Sequence, residues 1–181
     1  MKLTRRLLTV AGCAFVLASG SAWADRTAGE NIDDSTIITK TKFALIDDAN
    51  VGAADINVEA YKGRVALIGF VDSESERKAA IARAKGIEGV KAIDDAMVVL
   101  KVDRSFGRVI DDETLYGKVK LKLADAEGLG EAAAVVVMVR DGHVLLGGFV
   151  DSKDTINDIG KAVREIDGIK KVHNLLAPKK G

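Results

Sequence analysis

The word GFVDS occurs twice, at Gly69–Ser73 and at Gly148–Ser152, 79 positions apart. Sliding the chain against itself by that interval brings Gly63 onto Gly142, Val65 onto Val144 and Leu67 onto Leu146. Ile87, Gly89 and Lys91 likewise meet Ile166, Gly168 and Lys170. Upstream, a shift of 78 aligns Asp33, Asp34 and Thr36 with Asp111, Asp112 and Thr114. It also aligns Lys40, Lys42, Leu45 and Asp47 with Lys118, Lys120, Leu123 and Asp125. One inserted residue between Asp125 and Val137 reconciles the two shifts. The chain is a tandem duplication, with repeats near 32–101 and 110–178 and a connector at 102–109. Whatever one repeat folds into, the chain must fold into twice. A unit of that size without disulfides is only marginally stable alone.

Both repeats carry the same succession of signals. An acidic pair, Asp33-Asp34 or Asp111-Asp112, is expected to open a helix, where carboxylates cap free amides and meet the positive helix end. Ile37, Thr41 and Leu45, and again Leu115, Val119 and Leu123, fall at i, i+4, i+8 and predict one buried stripe per helix. Two alternating runs follow, separated by Lys62-Gly63 or Asp141-Gly142, which predict hairpin turns. The first strand of repeat two is apolar from Val135 to Val139, as in a strand covered on both faces. Ser73 with Glu76 predicts a capping box at a second helix. Ser152 is its counterpart, with Thr155 in place of the glutamate. Gly89 and Gly168 end those helices, and a last strand carries Ile93, Met97 and Val99, or Val172 and Leu176. The expected fold class is α+β: two tandem two-layer domains, each α-β-β-α-β, with two helices on a three-stranded mixed sheet.

Residues 1–24 read as a cleaved leader. Lys2, Arg5 and Arg6 precede an apolar run from Leu7 to Ala18, and Ala22-Trp23-Ala24 is an A-x-A cleavage site. The run is too short to span a bilayer, which needs about 20 apolar residues. Export to the periplasm with a mature start at Asp25 is expected. The alternative is a lipid anchor on Cys13, within Val10-Ala11-Gly12-Cys13, although the apolar stretch ahead of it is short and continues past it. Thr4-Arg5-Arg6-Leu7-Leu8 resembles a weak twin-arginine signal, but nothing later requires a cofactor inserted before export. Without the leader's three basic residues, 27 Lys and Arg become 24 against 27 Asp and Glu, a net of −3. Such a balance argues against general nucleic-acid binding. The single cysteine lies in the leader, so the mature chain folds on packing alone.

The order of features resembles the BON domain: an acidic helix start, a hairpin ending in a V-x-L-x-G strand, then a helix followed by G-[VI]-x-x-[VI]. The matching residues are Val65, Leu67, Gly69, Gly89, Val90 and Ile93, and in the second copy Val144, Leu146, Gly148, Gly168, Ile169 and Val172. The resemblance implies a non-enzymatic protein of envelope maintenance and stress tolerance, in contact with phospholipid or envelope proteins. A chaperone that holds unfolded periplasmic clients is the alternative.

No catalytic constellation is legible, and neither a cofactor nor a metal is expected. His143 and His173 have no cysteine partners and no i, i+4 spacing. Gly128-Leu129-Gly130 lacks the strand and third glycine of a dinucleotide turn. Asp47-Asp48 reads as a solvated loop after a helix. Gly63, Gly69, Gly89, Gly142, Gly148 and Gly168 are read as structural. For Gly69 and Gly148, set within strands, the expected reason is close approach of a helix. One feature points to a surface function. On a helical wheel, Phe43 and Leu121 face away from the buried stripe, flanked by Lys40 and Lys42, and by Lys118, Lys120 and Lys122. An outward apolar residue among lysines can enter acyl chains while ammonium groups meet lipid phosphates. An anionic phospholipid surface, or an envelope protein, is the expected partner.

Overall fold

The computed structural model describes residues 25–102, 106–125 and 134–180. The leader with Cys13, residues 103–105 of the connector and Gly128-Leu129-Gly130 lie outside the described residues. Repeat one forms α1 (Asp25–Ile46), β1 (Ile56–Tyr61), β2 (Arg64–Val71), α2 (Glu74–Lys85) and β3 (Ala92–Val99). Repeat two forms α3 (Phe106–Asp125), β4 (Val136–Arg140), β5 (His143–Gly147), β6 (Phe149–Val150), α4 (Lys153–Arg164), β7 (Lys171–Asn174) and β8 (Ala177–Pro178). β2 pairs antiparallel with β1 and parallel with β3. β5 does the same with β4 and β7. Each sheet is therefore mixed and three-stranded, as expected. In repeat two a break at Gly147-Gly148 splits the central strand, and β6 pairs with β8 beyond it.

The local signals explain these elements. Lys62-Gly63 and Asp141-Gly142 all have positive φ, the geometry of a two-residue hairpin whose twist matches its strands. Ser73 Oγ accepts from Glu76 N at 3.2 Å, and Ser152 Oγ from Thr155 N at 3.0 Å, so both second helices are capped as read. The apolar stripes of α1 and α3 are buried.

Two expectations about the first helices are corrected. The helices start well before the acidic pairs, at Asp25 and Phe106, so α3 takes up the second half of the expected connector. The pairs therefore do not cap helix starts. Asp34 instead accepts from Lys62 N at 2.7 Å and Gly63 N at 2.8 Å. Asp112 accepts from Asp141 N at 2.7 Å and Gly142 N at 2.8 Å. A carboxylate on each helix thus clamps the hairpin turn of its own repeat.

The reason given for Gly69 and Gly148 is also corrected. A side chain at Gly69 would strike the carbonyl of Asp55, and one at Gly148 the carbonyl of Ala134, in the segments leading into β1 and β4. The obstacle at Gly69 is the last residue of a short 3-10 turn, Ala53–Asp55, and not one of the α-helices. Helix approach occurs at Gly89 and Gly168 instead, beneath Ile37 of α1 and Leu115 of α3.

Three apolar cores result among the described residues. One lies under α1 and α2 and includes Leu45, Val65, Leu67 and Ala80. Its counterpart under α3 and α4 includes Val119, Val144, Leu146 and Ile159. The third joins the repeats: Ala66, Ile68, Phe70 and Ala96 of the first sheet pack on Leu145 and Phe149 of the second, with Val136 and Met138 alongside. Alternate residues of β2 and of β5–β6 thus point to opposite cores, and the run from Val135 to Val139 is covered on both faces as expected. The order of layers is helices, sheet, sheet, helices.

Candidate functional site

The outward positions on α1 and α3 are where the wheel put them. Phe43 and Leu121 are each 65% exposed. Ile46, one turn beyond Phe43, is 66% exposed, and Tyr116 on α3 is 43% exposed. The wheel could have found Ile46, which lies at i+3 from Phe43. The lysines around them are not equivalent. Lys40 pairs with Glu88 at 3.6 Å, Lys122 with Glu165 at 3.2 Å, and Lys120 Nζ lies 3.5 Å from the Val135 carbonyl. Lys42 and Lys118 are exposed. The charge of Lys42 partly offsets the effect of burial, which raises the carboxyl pKa of Glu59 on β1.

Beside each clamped hairpin is a cleft between the first helix and the loop after the second. In repeat one it has a volume of about 390 Å³ and is edged by Asp33, Thr36, Lys40, Lys62, Glu88 and Lys91. In repeat two it is about 330 Å³, edged by Asp111, Thr114, Lys118 and Lys170. Charges of both signs face each cleft.

The sequence did not reveal the polar groups between the repeats. Arg140, with a side chain only 8% exposed, crosses from β4 to Asp55 at 3.0 Å and Asp72 at 3.4 Å. It also donates to the Leu100 carbonyl at 3.3 Å and lies over the Phe70 ring. From the other side, Arg64 pairs with Asp94 at 2.8 Å, donates to the Pro178 carbonyl at 2.8 Å and lies over Phe149. His143 and His173, listless in sequence terms, meet: Nδ1 and Nε2 are 3.1 Å apart.

Asp48 departs from the solvated-loop reading. It is buried, bound to Arg83 Nε at 2.7 Å and to the backbone and side chain of Asn50 at 3.0 Å each. These bonds, that of Arg83 foremost, lower its pKa to about 2. Among the described residues, no three of His, Cys, Asp and Glu gather as a metal cluster, and no helix is long and apolar enough to cross a membrane.

A profile of the BON domain matches residues 33–101 and again 111–178. The chain belongs to the BON-domain family. Three relatives extend the likeness over most of its length. Osmotically-inducible protein Y of Escherichia coli (strain K12) is 32% identical over 99% of this chain and 98% of its own. Outer membrane lipoprotein DolP of Haemophilus influenzae is 34% identical over 89% of this chain and 86% of its own. The 21 kDa hemolysin of Actinobacillus pleuropneumoniae is 31% identical over 82% of this chain and 77% of its own. In BON-domain terms, the V-x-L-x-G residues lie along β2 in the first copy and along β5 to the break at Gly148 in the second, and the two glycines after α2 and α4 are those over which α1 and α3 lie.

Proposed function

We propose that this tandem BON-domain protein is a non-enzymatic component of the bacterial envelope, exported to the periplasm, that protects it under stress by contact with anionic phospholipid. The observation that carries the reading is the recurrence, at equivalent sites of the two repeats, of a large apolar side chain 65% exposed on the outer face of the first helix. Phe43 or Leu121 enters the acyl region, and the exposed Lys42 and Lys118 meet headgroup phosphates. The lysines already paired with glutamates contribute less. Relatives named for osmotic induction and for an outer-membrane lipoprotein support the envelope setting. The latter also supports Cys13 as an alternative anchor.

Sedimentation with anionic vesicles tests this. Burying one such side chain is worth roughly 1.5–3 kcal/mol, so Phe43→Ser with Leu121→Ser is expected to weaken binding about ten-fold or more. Wild-type binding is expected to fall as salt rises. Unchanged sedimentation of the double variant rules out these side chains as the contact. Suppression of client aggregation in the absence of lipid, without vesicle binding, identifies a chaperone instead.

A further inference from the structure

The duplication relates the two sides of the buried face between the repeats, and one polar pair is exchanged between them. Under the 79-residue shift, Arg64 and Asp94 of repeat one correspond to His143 and His173 of repeat two. Arg64 and Asp94 form an ion pair at 2.8 Å next to Phe149. At the equivalent place His143 Nδ1 and His173 Nε2 are 3.1 Å apart, and the His173 ring meets Phe70 with centroids 6.3 Å apart. The two imidazole planes lie within 18° of each other and their centroids are 5.4 Å apart. That separation is about the nitrogen–nitrogen distance plus two ring radii, so the rings meet edge to edge, as in an N–H···N hydrogen bond. Such a bond needs one nitrogen to donate and the other to accept. A permanent ion pair in one repeat is replaced by a titratable pair in the other.

The surroundings oppose added charge. His143 lies directly across from Arg140 on β4 and from Lys171 on β7. Arg140 is already matched by Asp55 and Asp72, and its guanidinium is 5.5 Å from the centroid of Phe70, the ring that His173 touches. On the facing sheet, Asp94 is matched by Arg64, and Asp95 by Arg77 at 2.7 Å. A protonated His173 would be a second cation at the Phe70 ring, beside Lys171.

We propose that His143 and His173 form an acid-sensitive latch beneath the sheet-to-sheet contact. With one shared proton the rings stay joined and the repeats stay closed. With both rings doubly protonated, two N–H groups face each other, the pair parts, and the contact through Phe70 loosens. Burial first, then Lys171 and His143, hold His173 below its ordinary pKa of 6.5. The unfolded chain therefore takes up protons first as pH falls. This contribution to stability is complete above about pH 6.5 and is lost as pH drops through the lower folded value. Glu59, whose carboxyl is raised by burial, favours the folded state toward acid and cannot produce that loss.

The test is urea unfolding of the full chain at about pH 7.5 and about pH 5.5, on either side of an ordinary histidine pKa. The wild-type midpoint is expected to fall on acidification, with increased binding of an apolar-surface dye. His143→Arg with His173→Asp, which copies the ion pair of repeat one, is expected to lose that fall. His143→Gln with His173→Gln, which removes both titrations, is expected to lose it too, and serves if the first variant does not fold. In NMR titrations the wild-type His173 ring is expected to titrate below an ordinary histidine. An acid-induced fall that persists in the folded variants, or a His173 ring that titrates at the ordinary value, overturns the proposal.

Discussion

Thr41 shows what the duplication reveals at the scale of one residue. Its side chain is fully buried in the α1 stripe and its hydroxyl has no hydrogen-bond partner among the described residues. The equivalent residue in α3 is Val119, of nearly the same shape and without the hydroxyl. A buried hydroxyl left unpaired costs about 1–3 kcal/mol. Thr41→Val is therefore expected to stabilise the protein by about 1 kcal/mol or more, read as a higher urea midpoint with an unchanged slope. The stripe itself was legible, because the i, i+4, i+8 spacing of Ile37, Thr41 and Leu45 belongs to a single helix. The role of Asp34 was not. A carboxylate near a helix start ordinarily caps that helix, and only the fold brings Asp34 to Lys62, 28 positions away.

At the scale of elements, the clamp ties each first helix to the hairpin of its own repeat. Asp112 accepts both turn amides, and hydrogen bonds to a charged group are worth about 1.5–3 kcal/mol. Asp112→Ala is expected to cost about 2–3 kcal/mol and to speed hydrogen exchange at the Asp141 and Gly142 amides, leaving the amides of β2 slow. Equal acceleration in both sheets would show that the clamp is not local. Element order, hairpin turns and the caps at Ser73 and Ser152 were all readable from local residue choice. Helix beginnings were not, since the acidic pairs that looked like starts serve another purpose. The strand glycines misled for a similar reason. Sequence marks Gly69 as a place without room for a side chain, but the obstacle is the Asp55 carbonyl of a neighbouring segment.

At the scale of the whole molecule, the repeats have separate helix-side cores and share a third between their sheets. The apolar run from Val135 to Val139 hinted at a second covered face, but not that the other repeat covers it. Ile68→Asp, which puts a charge into the shared core opposite Gly147, is expected to lower stability by more than 3 kcal/mol, as for an unpaired buried charge. Separately expressed halves are expected to recombine when mixed and to elute together in size-exclusion chromatography, whereas halves carrying Ile68→Asp stay apart. Co-elution undisturbed by that substitution would place the joint elsewhere.

Because the sheets stand back to back, the helices of the two repeats look in opposite directions. Phe43 and Leu121 are thus two fronts of one particle, and a flat wall can be touched by just one of them at a time. A copy held between two walls would act as a spacer four layers thick, with one helix pair gripping each side.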